Sequence, residues 1–324
     1  MTNSPLVPSA VTLHRALVPA LILAAALAGG CSPGFDPYNR LTEMRVLALK
    51  SDPVAPAPGE TTTLSSLIYL PSGEEIASLR WSWCPFAGNA TDGYPCLITE
   101  EELAQLGGGS AEDIPPFDLG DGETAALEHT LDPDLLAAVC RNTEDQPVVL
   151  DCDGGFPVQI KLTVRSQSGE EVDSVRTLRL RFSDEHDPNQ NPWAEGLLAV
   201  LDGGETDIGS EPTVTLPRST ETVVRAKVPA DVIETYTGTD DNGAPEEKLE
   251  QIILTWFVES GDTKSMRTTF IDGIEPLEDA VENEWTPDGP EDYPGDTSQI
   301  VVVVRDDRDG VAWQTGVVSL RDRP

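Results

Sequence analysis

Two matching strand-like stretches, 140 positions apart, constrain this chain more than anything else in it. In Gln159–Arg165 (QIKLTVR), Ile160, Leu162 and Val164 fall on one side and Lys161, Thr163 and Arg165 on the other. A period of two is a strand with one buried and one wet face. Arg176–Phe182 repeats the pattern with Leu178, Leu180 and Phe182 inward, and Ser168-Gly169 in the connection makes the pair a hairpin. The same unit closes the chain. Gln299–Arg305 (QIVVVVR) leads through Asp306–Gly310 into Val311–Leu320, keeping the offset of 140. A second match sets Leu79, Trp81 and Trp83 against Leu254, Trp256 and Val258 at an offset of 175. One all-β unit therefore occurs twice, and 27 Gly with 27 Pro fit turn-rich sandwiches better than long helices.

The two offsets differ by 35 residues, so the first copy carries extra chain between its Trp strand and its final hairpin. That extra chain, about 85–157, is read as an insertion, and Cys84, Cys96, Cys140 and Cys152 fall in or beside it. Four cysteines allow three disulfide connectivities. Pairing nearest neighbours, Cys84 with Cys96 and Cys140 with Cys152, closes two loops of equal 12-residue spacing. A zinc site would need C-x₂₋₄-C pairs, which are missing. Two short helices are expected here. Thr99 with Glu102 makes a capping box ended by Gly107, and Asp132-Pro133 makes a cap with a first-turn proline. Polar, proline-punctuated residues 184–194 read as the linker between a first domain over 44–183 and a second over 195–324.

Arg45–Pro53, Pro58–Thr61, Leu79–Cys84, Asn189–Pro192 and Val304–Trp313 resemble the immunoglobulin-like (bacterial Ig-like or PKD-like) units of exported bacterial lipoproteins. The fold class this implies is all-β, with two immunoglobulin-like β-sandwiches in tandem, the first bearing the disulfide-stapled insertion with its short helices. The antibody-type pair of cysteines joining the two sheets is absent, since Cys84 lies on the same strand as Trp81.

The N-terminus carries an address. Ala16–Ala28 is a 13-residue apolar run after Arg15, too short to span a bilayer and broken by Pro19. A charge, an apolar core and then small residues make residues 1–30 a signal peptide. Leu27-Ala28-Gly29-Gly30-Cys31 resembles the lipobox of bacterial lipoproteins, although Ala28 stands where Leu is usual. The resemblance implies lipidation (palmitate) of Cys31, a lipidated tether over 31–43, and, from Ser32, an outer-membrane lipoprotein facing the periplasm or the cell surface. Ordinary cleavage after Ala26-Leu27-Ala28 is the alternative.

Charge narrows the partners. With 57 Asp and Glu against 21 Lys and Arg, a net charge of −36 argues against nucleic acid, because phosphate binding depends on basic residues. No Lys or Arg occurs from Trp81 to Cys140 or from Thr268 to Val304. Calcium is the one cofactor considered, since it needs six to eight oxygen ligands. Its candidate residues are Asp187, Asn189 and Asn191 in the linker, and Asp306, Asp307 and Asp309 in the last turn. Catalytic residues are not expected. His129 and His186 are the imidazoles past the signal peptide, and neither lies in HExxH or near G-x-S-x-G. Trp81 and Trp256 are expected in the cores, and Trp285 and Trp313 as exposed aromatics. The resulting expectation is a lipid-anchored, non-enzymatic binding or scaffold module of the cell envelope. It would meet the membrane through its lipid and an envelope protein or glycan through its loops. The rivals are a carbohydrate-binding envelope protein and a secreted hydrolase accessory protein.

Overall fold

The structure, a computed structural model, describes residues 37–107, 110, 112, 114–141, 152, 154–184, 188–239 and 244–322. The first group of strands is β1 (Arg45–Asp52), β2 (Thr61–Tyr69), β3 (Ile76–Cys84), β4 (Asp118–Asp121), β5 (Thr124–Glu128), β6 (Phe156–Ser166) and β7 (Glu171–Leu180). They form a β1-β2-β5 sheet facing a β4-β3-β6-β7 sheet. The second group is β8 (Leu197–Leu201), β9 (Gly204–Ile208), β10 (Val214–Pro217), β11 (Thr222–Ala226), β12 (Thr235–Thr239), β13 (Pro245–Leu249), β14 (Ile252–Val258), β15 (Asp262–Thr263), β16 (Arg267–Phe270), β17 (Glu282–Thr286), β18 (Thr297–Asp306) and β19 (Val311–Arg321). Here β9-β8-β11-β17-β15 faces β16-β14-β18-β19-β10, and β12 and β13 form a separate hairpin. With β1, β2 and β5 set against β8, β11 and β17, and β4, β3, β6 and β7 against β16, β14, β18 and β19, both copies show immunoglobulin-like topology.

The repeat holds pair by pair. Trp81 lies opposite Leu162 and Trp256 opposite Val302, while Leu162 lies opposite Ser174 and Val302 opposite Gln314. Both tryptophans are fully buried, and their indole N–H groups donate to Gly122 O at 3.0 Å and Thr268 Oγ1 at 2.9 Å. A Trp can fill a core in this way only when its one polar atom finds a partner.

The stretch 85–157 is not a simple insertion, and this corrects the sequence reading. Its β4 pairs with β3 and its β5 with β2, so both are strands of the sandwich itself. What is added are two loops on either side of them, each closed by a disulfide, Cys84–Cys96 and Cys140–Cys152. Helix α1 (Glu100–Gly107) has the expected capping box: Glu102 N–H donates to Thr99 Oγ1 at 3.2 Å and Thr99 N–H to Glu102 Oε2 at 2.8 Å. Helix α2 (Pro133–Arg141) starts on Asp132, whose Oδ1 accepts from Asp134 N–H at 2.9 Å. Leu103 of α1 and Leu136 of α2 join the core of the first sandwich. A third, one-turn helix, α3 (Leu277–Ala280), packs in the second.

The sandwiches do not hang end to end on a linker. Leu47, Leu67 and Tyr69 on the outer face of β1–β2 pack against Phe257, Val301, Val303, Val311 and Trp313 on the outer face of β14, β18 and β19. The four sheets are thus stacked, with a third apolar layer between the sandwiches. Each fully buried side chain in such a layer contributes about 1.5–3 kcal/mol. Polar groups fix the register of the stack: Arg305 donates to Leu47 O at 2.9 Å, Arg176 of β7 to Asp309 O, and Asn191 to Ser51 O at 2.8 Å. Residues 39–41, expected as free tether, are also built in. Leu41 N–H donates to Val258 O and Val258 N–H to Asn39 O, a single parallel bridge of Arg40 to Val258 at the end of β14.

Candidate functional site

The outer faces of the two equivalent sheets have different fates. In the second sandwich that face is covered by β1 and β2. In the first, the face of β4, β3 and β6 is uncovered and carries a cavity of about 260 Å³, lined among others by Ser82, Tyr94, Asp118, Gln159, Lys161 and Thr163. One wall is the Cys84–Cys96 loop, a small hairpin in which Gly88 N–H donates to Pro95 O at 2.7 Å and Leu97 N–H to Phe86 O at 2.9 Å. Asn89 caps its 3₁₀ turn, Ala90–Asp92, and Gly93 ends it with φ 76°. Tyr94 follows at φ 56°, a left-handed conformation that a side chain with a Cβ adopts at some cost. Lys161 ties this loop to the sheet by donating to Gly93 O at 3.1 Å, and it pairs with Asp173 at 2.8 Å.

The rim is charged and the floor is polar. Arg80 and Asp118 pair at 2.5 Å; each stabilises the other's ionised form, so the guanidinium pKa is raised and the carboxyl pKa lowered. Between them, the side chains of Ser82, Gln159 and Tyr94 make no hydrogen bond to any described residue. A hydroxyl, a carboxamide and a phenol left free beside ion pairs can exchange hydrogen bonds in both directions with a polar ligand or an extended chain.

The calcium candidates meet in space but are used differently. Asp306 is buried and accepts from Arg308 N–H at 2.9 Å, Gly310 N–H at 2.6 Å and Asn189 Nδ2; burial pushes its carboxyl pKa up. Asn189 also donates to Arg308 O at 2.8 Å, and Asn191 accepts from Val311 N–H at 2.9 Å. Asp307 accepts from Gln251 N–H at 3.2 Å, and Asp309 pairs with Arg179 of β7 at 3.2 Å. Asp187 lies outside the described residues. The linker and the last turn therefore form a bolt joining the sandwiches. Gly310 has no room for a side chain, since a Cβ there would overlap the Asp306 carboxylate and touch Pro192. Of these oxygens Asn189 Oδ1 is buried without a partner, one against the six to eight that calcium needs. No group of three or more His, Cys, Asp or Glu able to hold a metal occurs among the described residues.

Beside the bolt, Glu250 is 1 % exposed and pairs with Arg308 at 3.0 Å. Burial, with the Asp306 charge nearby, raises its pKa to about 7.

The remaining candidates fall as follows. His129 is buried, with Nε2 2.9 Å from Arg181 O and Nδ1 unpartnered, and desolvation lowers its pKa. It lies in the fold and not on the cavity. His186 and Cys31 lie outside the described residues. The two exposed aromatics expected from the sequence are not exposed. Trp285 is fully buried, donating to Ser260 O at 2.7 Å, and Trp313 is half-buried against the layer between the sandwiches. Turn proximity misled the reading, because Trp285 sits on β17 with its ring toward the second core. Sequence reasoning missed the uncovered sheet face. The signal was available in Lys161 and Thr163, which stand where the second copy has Val301 and Val303.

No family model matches the chain, and no curated protein matches it. Solved structures similar to it include murine CEACAM1b, at 8% identity over 87% of this chain and 100% of that one, with a TM-score of 0.22. The D00-D0 domain of intimin gives 8% identity over 85% and 98% with a TM-score of 0.21. The Yersinia pseudotuberculosis adhesin InvE gives 11% over 84% and 58% with a TM-score of 0.20. Overlaps this slight carry no argument; the fold assignment rests on strand order and register.

Proposed function

We propose that this chain is an exported, lipid-anchored protein of the cell envelope that works without catalysis, as a rigid binding or scaffold module. The observation that carries the reading is the contrast between the two equivalent sheet faces. One is sealed between the sandwiches, and the other is left open beside a disulfide-closed loop with unpaired polar side chains on its floor. A stiff four-sheet body with one prepared face suits holding a partner in position, and loops on a rigid scaffold commonly carry binding. The anchor is the acylated Cys31 of the lipobox-like segment, whose acyl chains add about 0.8 kcal/mol of membrane affinity per buried CH₂. Outer-membrane residence follows from Ser32 by the same resemblance.

The partner is an envelope protein that presents polar and cationic groups, because the chain from Trp81 to Cys140 bears no Lys or Arg. A glycan is the second reading, favoured by the free Ser82, Gln159 and Tyr94 side chains and no longer by exposed tryptophans. The test is recovery of partners from envelope extracts on the intact protein and on a Ser82→Trp/Gln159→Trp variant that fills the cavity. The variant, once shown to melt like the parent, is expected to lose the partner. Retention of every partner by the folded variant would overturn this face as the binding site. A glycan array run on the same pair of proteins separates the two readings.

A further inference from the structure

The N-terminal segment does not join the first sandwich alone. Its first described residues are clamped to the second. Asn39 Nδ2 donates to Thr263 Oγ1 at 2.7 Å, Leu41 N–H to Val258 O at 2.8 Å, and Arg40 pairs with Asp288. The Tyr38 ring lies 6.1 Å from Phe257. Cys31 stands only seven residues before Tyr38. At no more than ~3.6 Å per residue, an acyl group on Cys31 keeps Tyr38 within about 25 Å of the headgroups.

The surface at that point has the composition of a membrane-contact patch. Tyr38 is 63% exposed and Met266 39% exposed. Met266 is placed next to the clamp by its carbonyl, which accepts from Trp256 N–H at 3.0 Å, and by Thr263, which donates to Ser265 O at 3.0 Å. Basic residues gather here in a chain that has few. Arg45 lies 5.6 Å from the centre of the Tyr38 ring, Lys264 and Arg267 are exposed, and Arg40 is in the clamp itself. Carboxylates balance three of them: Glu43 with Arg45, Asp288 with Arg40, and Glu284, with Glu221 near it, with Lys264, while exposed Asp262 lies in the same segment. Arg267, exposed, makes no ion pair among the described residues. Aromatic rings and Lys or Arg are the side chains enriched at the headgroup level, and phosphates attract basic groups there.

We propose that the surface of Tyr38, Met266 and Arg267 lies against lipid phosphate headgroups, which makes the second sandwich, not the first, the membrane-proximal one. The proposal rests on acylation of Cys31 for its geometry. It is tested on the full lipidated chain in phospholipid vesicles with and without anionic lipid, carrying a spin label at Met266→Cys or, on α1 of the first sandwich, at Leu106→Cys. On vesicle binding the label at 266 is expected to gain contact with oxygen and lose contact with a water-soluble nickel chelate. The label at 106, where Leu106 is 56% exposed, is expected to change little. Arg267→Glu is expected to reduce the contrast in anionic vesicles. Equal behaviour of the two labels on protein whose mass shows an acylated Cys31 overturns the orientation alone. An unmodified Cys31 overturns the anchor and the orientation with it.

Discussion

Strands β6 and β18 are the same strand of the repeat, and they differ on one face. Inward, both are apolar: Ile160, Leu162 and Val164 in the first, Ile300, Val302 and Val304 in the second, all at most 1 % exposed. Outward, Lys161 and Thr163 face the open cavity, while Val301 and Val303 are buried against β1 and β2. The unit of the fold needs only the inner face. The outer face is free to record what lies beyond it, solvent and a partner in one copy and the other sandwich in the second. A strand buried on both sides loses its alternation and reads as a continuous apolar run.

The sharpest way to break this comparison is to exchange the outer faces. Val301→Lys with Val303→Thr places a charge in the layer between the sandwiches and is expected to cost about 4 kcal/mol or more in urea denaturation. The reverse exchange, Lys161→Val with Thr163→Val, is expected to stay within about 1 kcal/mol. Equal costs would mean that the sandwiches are not stacked in solution. Next in size are the inner faces, where the copies should behave alike. Trp81→Ala and Trp256→Ala are each expected to cost about 3–5 kcal/mol, since both fill a core without exposed surface. A difference of more than ~2 kcal/mol between them would show that the cores are not equivalent.

The loops come third, because the second sandwich has no counterpart to the disulfides. Replacing Cys84 and Cys96 by Ala opens a 12-residue loop and is expected to cost about 2–4 kcal/mol while loosening the cavity wall. Thermal melting, with partner recovery as the second readout, checks it. The smallest effect is on pH dependence, where the two sandwiches pull in opposite directions. His129 in the first has a folded pKa below its unfolded value of about 6.5, so the unfolded chain takes the proton first. Its contribution is present above about pH 6.5 and is lost as pH falls toward the folded value. Glu250 in the second is raised to about 7 from 4.5, so the folded chain holds the proton between those values. Its contribution is full below pH 4.5 and is lost as pH rises through about 7. In melting curves between pH 5 and 8, His129→Gln is expected to flatten the acid side and Glu250→Gln the neutral side. A profile that neither variant changes would reject both assignments.

Much of this was legible in residues that interact locally. The capping box at Thr99 and Glu102, the Asp132 cap and the hairpins after β6 and β18 depend on neighbours a few positions away. The two repeat offsets hold in space, where Trp81 pairs with Leu162 as Trp256 pairs with Val302, but that the Trp strand lies beside β6 and β18 came only from the structure. The linker was misread in role. Asn189 and Asn191 read in one dimension as linker residues and calcium candidates, and only their meeting with Asp306, Val311 and Ser51 makes them a bolt.

The sequence by itself determined an all-β chain with a doubled unit, short capped helices and an even set of cysteines. Periodicity, caps and turns are properties of the chain at short range, and they do not depend on what else is present. Tertiary structure decided which sheet face would be sealed, that β4 and β5 belong to the first sandwich and that residues 39–41 pair with the second. It also decided that Trp285 is core. These outcomes turn on contacts between residues from 30 to more than 250 positions apart, such as Arg305 with Leu47 O and Arg40 with Asp288. Burial of a surface is settled only when its partner arrives.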